Sequence, residues 1–154
     1  MSLKHTSIDV AARIVVVEDN DSDVFLLDRA LKKADFPYKL LHLLNGGDAL
    51  AFIRKQGAHA SEAIPDLILL DLNLSKYTGE DILHEIHNAP HLKDVPVCVW
   101  SSSRSRRDES ALKDLGVSQF IPKPSGLEQF MAIGQTIKGL LAAAILAPGG
   151  PAHA

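Results

Sequence analysis

Five times along this chain an apolar run rich in β-branched residues is followed by a segment with helical period. Strands joined by helical crossovers run parallel, and a parallel sheet needs helices over both faces. The pattern predicts strands near 13–18, 39–43, 66–71, 95–100 and 118–121, and helices near 22–34, 47–56, 79–88, 105–114 and 126–145. Gly57 to Pro65 reads as a loop, and Ala147-Pro148-Gly149-Gly150-Pro151 to the end reads as a disordered tail. The expected fold class is α/β, a doubly wound five-stranded parallel sheet. One domain over 12–146 is expected to carry it, with an N-terminal extension over 1–11 and the tail over 147–154.

A chain of 154 residues suffices for one full core, and 46% hydrophobic with 23% charged residues is not a disordered profile. A net charge of -3 argues against a phosphate-backbone footprint, so no direct nucleic-acid partner is expected. The single cysteine, Cys98 in Val97-Cys98-Val99-Trp100, can make neither an internal disulfide nor a thiolate metal cluster, and reads as a packed core thiol in a reducing compartment. Met1 to Val10 lacks the apolar core of a signal peptide. Leu127 to Leu146 is interrupted by Glu128, Gln129, Gln135 and Lys138, so it reads as an amphipathic helix and not a membrane span. A cytoplasmic location without membrane insertion follows as the expectation.

Asp71 ends the apolar run Ile68-Leu69-Leu70-Asp71-Leu72, where a lone carboxylate is costly unless it raises its pKa, finds a cation or binds a metal. In open parallel α/β sheets ligands bind outside the carboxyl ends of the strands. Glu18 and Asp19 follow the first strand, Ser101 the fourth and Lys123 the fifth, so all of these converge with Asp71 on one edge. Glu18, Asp19 and Asp71 close together would raise a pKa or recruit a divalent cation, and oxygen-only ligands select Mg²⁺ or Mn²⁺ over zinc. Taken singly, Asp19-Asn20-Asp21 reads equally as a helix cap and Lys123 as a surface lysine. Together, a carboxylate nucleophile, a hard cation, an ammonium and a hydroxyl are what aspartyl phosphorylation requires.

Val17-Glu18-Asp19-Asn20, Leu69-Leu70-Asp71-Leu72-Asn73-Leu74, Val99-Trp100-Ser101-Ser102 and Phe120-Ile121-Pro122-Lys123-Pro124 give residues 12 to 145 a resemblance to the receiver domain of two-component response regulators. The resemblance implies a flavodoxin-like (βα)5 fold with strand order 2-1-3-4-5. It further implies Asp71 as phosphoacceptor from a sensor histidine kinase, with Mg²⁺ held by Asp19, the Asp71 carboxylate and the Asn73 backbone carbonyl, and by Glu18 through water. Ser101 and Lys123 would bind the phosphoryl group, Ser101 and Phe120 would form the switch, and the Lys123-Pro124 bond would be cis. Three departures stand out: Glu18 where many receivers have Asp, Ser75 where a proline is usual, and Pro122 within a strand, which fits if that strand is an edge. The Leu69 to Leu74 wording, the long loop and the lack of an output domain look like the single-domain receivers that partner phytochrome-type kinases.

Other features carry less. His84-Glu85-Ile86-His87 with His91 misses zinc-protease spacing by one residue and reads as a solvated helix face. Arg104, Arg106 and Arg107 open the fourth helix and read as solvated, or as a rim contact for an acidic partner. Asn45-Gly46-Gly47-Asp48 lacks the lysine of a phosphate loop and reads as a turn. The competing enzyme reading is an aspartate-nucleophile phosphatase of the haloacid-dehalogenase kind, whose first motif has an acid where Asn73 stands. The favoured reading is a signalling module and not an enzyme, with at most slow self-dephosphorylation. Phe130, Ile133, Ile137, Leu140, Leu141 and Ile145 repeat along the last helix, whose end is apolar nearly all round. A homodimer, or a downstream protein, is therefore expected on that helix.

Overall fold

Every residue of β3 (Leu67–Asp71) and β4 (Val97–Ser101) is buried, and so is β1 (Ala12–Val17) apart from Arg13, as strands covered on both faces must be. In this computed structural model, which describes residues 10–74, 77–101 and 109–146, they form the middle of a five-stranded sheet. β2 (Tyr38–Leu43) and β5 (Val117–Pro122) are its half-exposed edges, in the order β2-β1-β3-β4-β5 with all pairs parallel. The class, strand number and order agree with the sequence-based expectation. Pro122 lies on an edge strand, where its missing N–H costs no ladder bond.

Two apolar layers hold the helices. α1 (Asp21–Ala34) and α5 (Leu127–Leu146) pack on Ile14, Val16, Leu67, Leu69, Cys98 and Trp100, while α2 (Gly46–Ile53), α3 (Gly79–His87) and α4 (Glu109–Asp114) pack on Val15, Val17, Ile68, Leu70 and Val99. Alternate residues of one strand thus serve opposite layers. Gly134 lets α5 lie against the Ala30 carbonyl of α1, where a Cβ would clash with backbone. Lys138 Nζ then donates to Ala34 O at 3.0 Å, satisfying a carbonyl at the end of α1. Asn20 caps the start of α1, its Oδ1 accepting from the Ser22 and Asp23 amides at 2.9 and 3.2 Å.

The differences from expectation have local causes. β4 begins at Val97 because Pro96 has no N–H to donate. α2 stops at Ile53, after which Lys55 takes a left-handed φ of 56° and a 3-10 turn covers Gly57–His59. The described residues contain no cis peptide bond, so Lys123-Pro124 is trans, against the implied cis form. Trans is the lower state of an X-Pro bond by about 0.5–1 kcal/mol. The Lys123 amide, moreover, still donates to Ser101 O at 3.0 Å, so the chain leaves the sheet without that isomer. Phe130, Ile133, Ile137 and Leu141 are buried in the core and Leu140 is half-buried, so Leu141 belongs to the inward stripe. The extension before Val10, Ser75, Arg104, Arg106, Arg107, the expected start of the fourth helix and the tail from Ala147 lie outside the described residues, as does the side chain of Ile145.

Candidate functional site

The parallel registers decide which side chains meet. Val17 stands beside Leu70, Asp71 beside Trp100 and Ser101 beside Pro122, so the carboxyl ends of β1, β3, β4 and β5 bring Glu18, Asp71, Ser101 and Lys123 together. Glu18, Asp19 and Asp71 each place one carboxylate oxygen within 4.8 Å of the others. Glu18 and Asp71 are buried, whereas Asp19 is exposed.

Lys123 is the cation that this cluster demands. Its Nζ lies 2.6 Å from Glu18 Oε1, 2.9 Å from Asp23 Oδ2 and 3.3 Å from Asp71 Oδ2, with its side chain 9% exposed. It also sits 4.9 Å from the centre of the Trp100 ring, a cation–π contact. Burial pushes the Glu18 carboxyl up to about 7, with Asp71 adding to the shift and Lys123 opposing it. Burial works against the Lys123 charge, yet Glu18, Asp23 and Asp71 outweigh it and raise its pKa above the ordinary lysine value.

Hydrogen bonds set the remaining groups. The Asn73 amide N–H donates to Asp71 Oδ1 at 2.9 Å, and the Asn73 side-chain amide donates to Ser101 Oγ at 2.8 Å. The Asn20 amide donates to Glu18 Oε2 at 3.1 Å, and His42 Nε2 stands 2.6 Å from Glu18 O. Glu18 Oε1 is buried, and the Lys123 ammonium 2.6 Å away is its ion-pair partner. A divalent cation suits such a pocket: the ligand atoms are all oxygen, and three carboxylates surround one ammonium with a fourth, Asp19, beside Glu18 and Asp71. Phe120 is half-buried beside Val99 and packs on the layer of α2, α3 and α4.

Of the site residues expected from sequence, Glu18, Asp19, Asp71, Asn73, Ser101 and Lys123 therefore stand at one end of the sheet, and Phe120 lies two residues before the end of β5. Asp23, which sequence reasoning passed over as part of the helix start, joins them through Lys123. So does Trp100, through its ring face. His84 and His87 are exposed on α3, and the metal-capable group among the described residues is the carboxylate cluster. Asn45 caps α2 by accepting from the Asp48 amide at 2.8 Å, as a turn residue would.

An α/β sheet with an acidic pocket and a buried lysine at its carboxyl edge is a setting suited to phosphoryl chemistry. The chain belongs to the response regulator receiver domain family of two-component systems, which it matches over residues 14–134. It is 36% identical over 125 residues to response regulator Rcp1 of Synechocystis sp., covering 81% of this chain and 85% of that protein. The crystal structure of the phosphorylated cyanobacterial phytochrome response regulator RcpA superposes with a TM-score of 0.80 at 36% identity, covering 93% of this chain and all of that one. The Mn²⁺-bound form of Rcp1 superposes equally well, at 33% identity over 92% of this chain and 99% of that one. Receiver domains are signalling modules that work with a histidine kinase and a divalent cation in the acidic pocket. Among the described residues no helix is long and apolar enough to cross a membrane.

Proposed function

We propose that the protein is a cytoplasmic response regulator that accepts a phosphoryl group on Asp71 from a sensor histidine kinase of the phytochrome type. The observation that carries the reading is Lys123 Nζ at 3.3 Å from Asp71 Oδ2 inside a pocket of further carboxylates. An Asp71 oxygen forms the new O–P bond as the N–P bond of the phosphohistidine breaks, and the bonding pair returns to the imidazole. Lys123 offers charge to a phosphoryl oxygen, and Ser101 offers its hydroxyl. Glu18, Asp19, the Asp71 carboxylate and the Asn73 carbonyl would hold Mg²⁺, Glu18 acting through water. When bound, the cation neutralises charge on the transferring oxygens.

Phosphorylation adds about -1.5 to -2 charges beside Ser101. Ser101 then leaves Asn73 for the phosphoryl group, and Phe120 turns into the space so freed. The altered face of β5 and α5 carries the output, as a homodimer or a contact with a downstream protein. The geometry at Asn73 disfavours the phosphatase alternative, since that side chain serves as a donor to Ser101 where an acid would be needed. Phosphate release from an aryl phosphate, followed beside transfer from a labelled histidine kinase, tests the reading. Stoichiometric labelling without sustained turnover is expected; steady phosphate release would support the phosphatase.

A further inference from the structure

Asp23 is the third residue of α1, where an acidic side chain ordinarily serves the helix dipole or the cap. Here its carboxylate instead reaches a lysine 100 residues away, with Oδ2 at 2.9 Å from Lys123 Nζ. An ammonium has three N–H donors, and three carboxylates take positions around this one. Asp71 is the most distant of the three, so Lys123 rests nearer to Glu18 and Asp23 than to the residue it is proposed to serve.

The three acceptors differ in what else claims them. Asp71 would carry the phosphoryl group, and Glu18, fully buried, belongs to the carboxylate cluster of the cation pocket. Asp23 has neither task. It is also the most exposed of the three, at 22%, and comes from a helix and not a strand end. We propose that Asp23 is a positioning residue for Lys123: it holds the ammonium in its resting place, and a phosphoryl oxygen must draw the lysine away from it. The inference rests on the phosphoacceptor reading of Asp71 and adds a residue to it. Removing Asp23 frees Lys123 in both states. The lysine leans further onto Glu18 and Asp71 when the pocket holds no cation, and reaches a phosphoryl oxygen more readily when one is present.

Calorimetry on the full chain with two probes tests this. With beryllofluoride at saturating Mg²⁺, Asp23→Asn is expected to bind about threefold to tenfold more tightly than wild type, the worth of one partly exposed ion pair, and Asp23→Glu to move back toward wild type. With Mg²⁺ alone, Asp23→Asn is expected to weaken binding about threefold, and in a Lys123→Met background by less than about twofold. A third readout needs no change at Lys123: emission of Trp100, whose ring centre is 4.9 Å from Nζ, should differ between wild type and Asp23→Asn in the metal-free protein. Unchanged or weaker beryllofluoride binding in Asp23→Asn overturns the proposal, as does an equal effect on Mg²⁺ affinity with and without Lys123. Should Lys123→Met not fold, unchanged Trp100 emission in Asp23→Asn is the overturning result. Wild-type protein that binds Mg²⁺ but not beryllofluoride would instead refute the phosphoacceptor reading, leaving the Mg²⁺ cycle to decide whether Asp23 acts through Lys123.

Discussion

Replacing Asp71 by Asn is expected to stabilise the metal-free protein. Asp71 feels two like charges, Glu18 and Asp19, whose oxygens lie within 4.8 Å, and one opposite charge, Lys123, at 3.3 Å. At an effective dielectric constant of about 20, each repulsion at that separation is about 3.5 kcal/mol and the attraction about 5 kcal/mol. The repulsions exceed the attraction by about 2 kcal/mol, and the lower desolvation cost of a neutral amide acts in the same direction. For a chain of 154 residues that corresponds to a rise in Tm of roughly 4–8 °C. The assay is a thermal melt in EDTA at pH 8, where Glu18, with its pKa near 7, is mostly ionised. Adding Mg²⁺ should reverse the advantage, since binding at a hundredfold excess over Kd stabilises wild type by about 2.7 kcal/mol and the variant lacks a ligand. A metal-free Asp71→Asn protein that melts at or below the wild-type temperature would show that carboxylate repulsion does not outweigh the Lys123 pair.

Two further outcomes follow from burial. Leu141→Glu, which places a carboxylate in the buried layer that α1 and α5 cover, should lower stability by more than about 3 kcal/mol, whereas Ala143→Glu on the exposed side of α5 should leave the Tm unchanged. Sedimentation with beryllofluoride and Mg²⁺ should show self-association weakened in Ala143→Glu; a wild type that is monomeric with and without beryllofluoride removes the homodimer and leaves the heterologous partner. Burial pushes the Cys98 thiol up to about 12, so at pH 8 a thiol reagent should modify it only after unfolding, in native protein no faster than the unfolding rate. Because the folded pKa is the higher one, the thiol's contribution to stability is complete below pH 9 and is lost as pH rises from there toward 12. Rapid labelling of native protein at pH 8 would contradict the burial.

The residues that were legible in the sequence are those whose position along a strand fixes their place in space. Asp71 and Ser101 close buried runs, and Glu18 and Lys123 stand one residue beyond theirs, so a parallel sheet carries all four to one edge whatever the details of packing. Asp23 was harder to see because its role depends on the helical phase set by the Asn20 cap, which turns the third helical residue back toward the strand ends. Trp100 beneath Lys123 follows from β-sheet alternation, once Trp100 is known to pair with Ile121, two residues before the lysine. Leu140 and Leu141 are equally apolar neighbours on one helix. Which of them faces inward is decided by the close approach of α1 to Gly134, a tertiary fact absent from the helix's own pattern. The isomer of Lys123-Pro124 rests on a difference of about 0.5–1 kcal/mol, too small for local sequence to decide.

Mass-spectrometric mapping after incubation with acetyl phosphate and Mg²⁺ shows whether Asp71 carries the phosphoryl group. One phosphoryl group should be found on the peptide containing Asp71, and none when Mg²⁺ is chelated or Asp71 is Asn. A phosphoryl group mapped elsewhere, or labelling undiminished in folded Asp71→Asn protein, would show that Asp71 is not the phosphoacceptor.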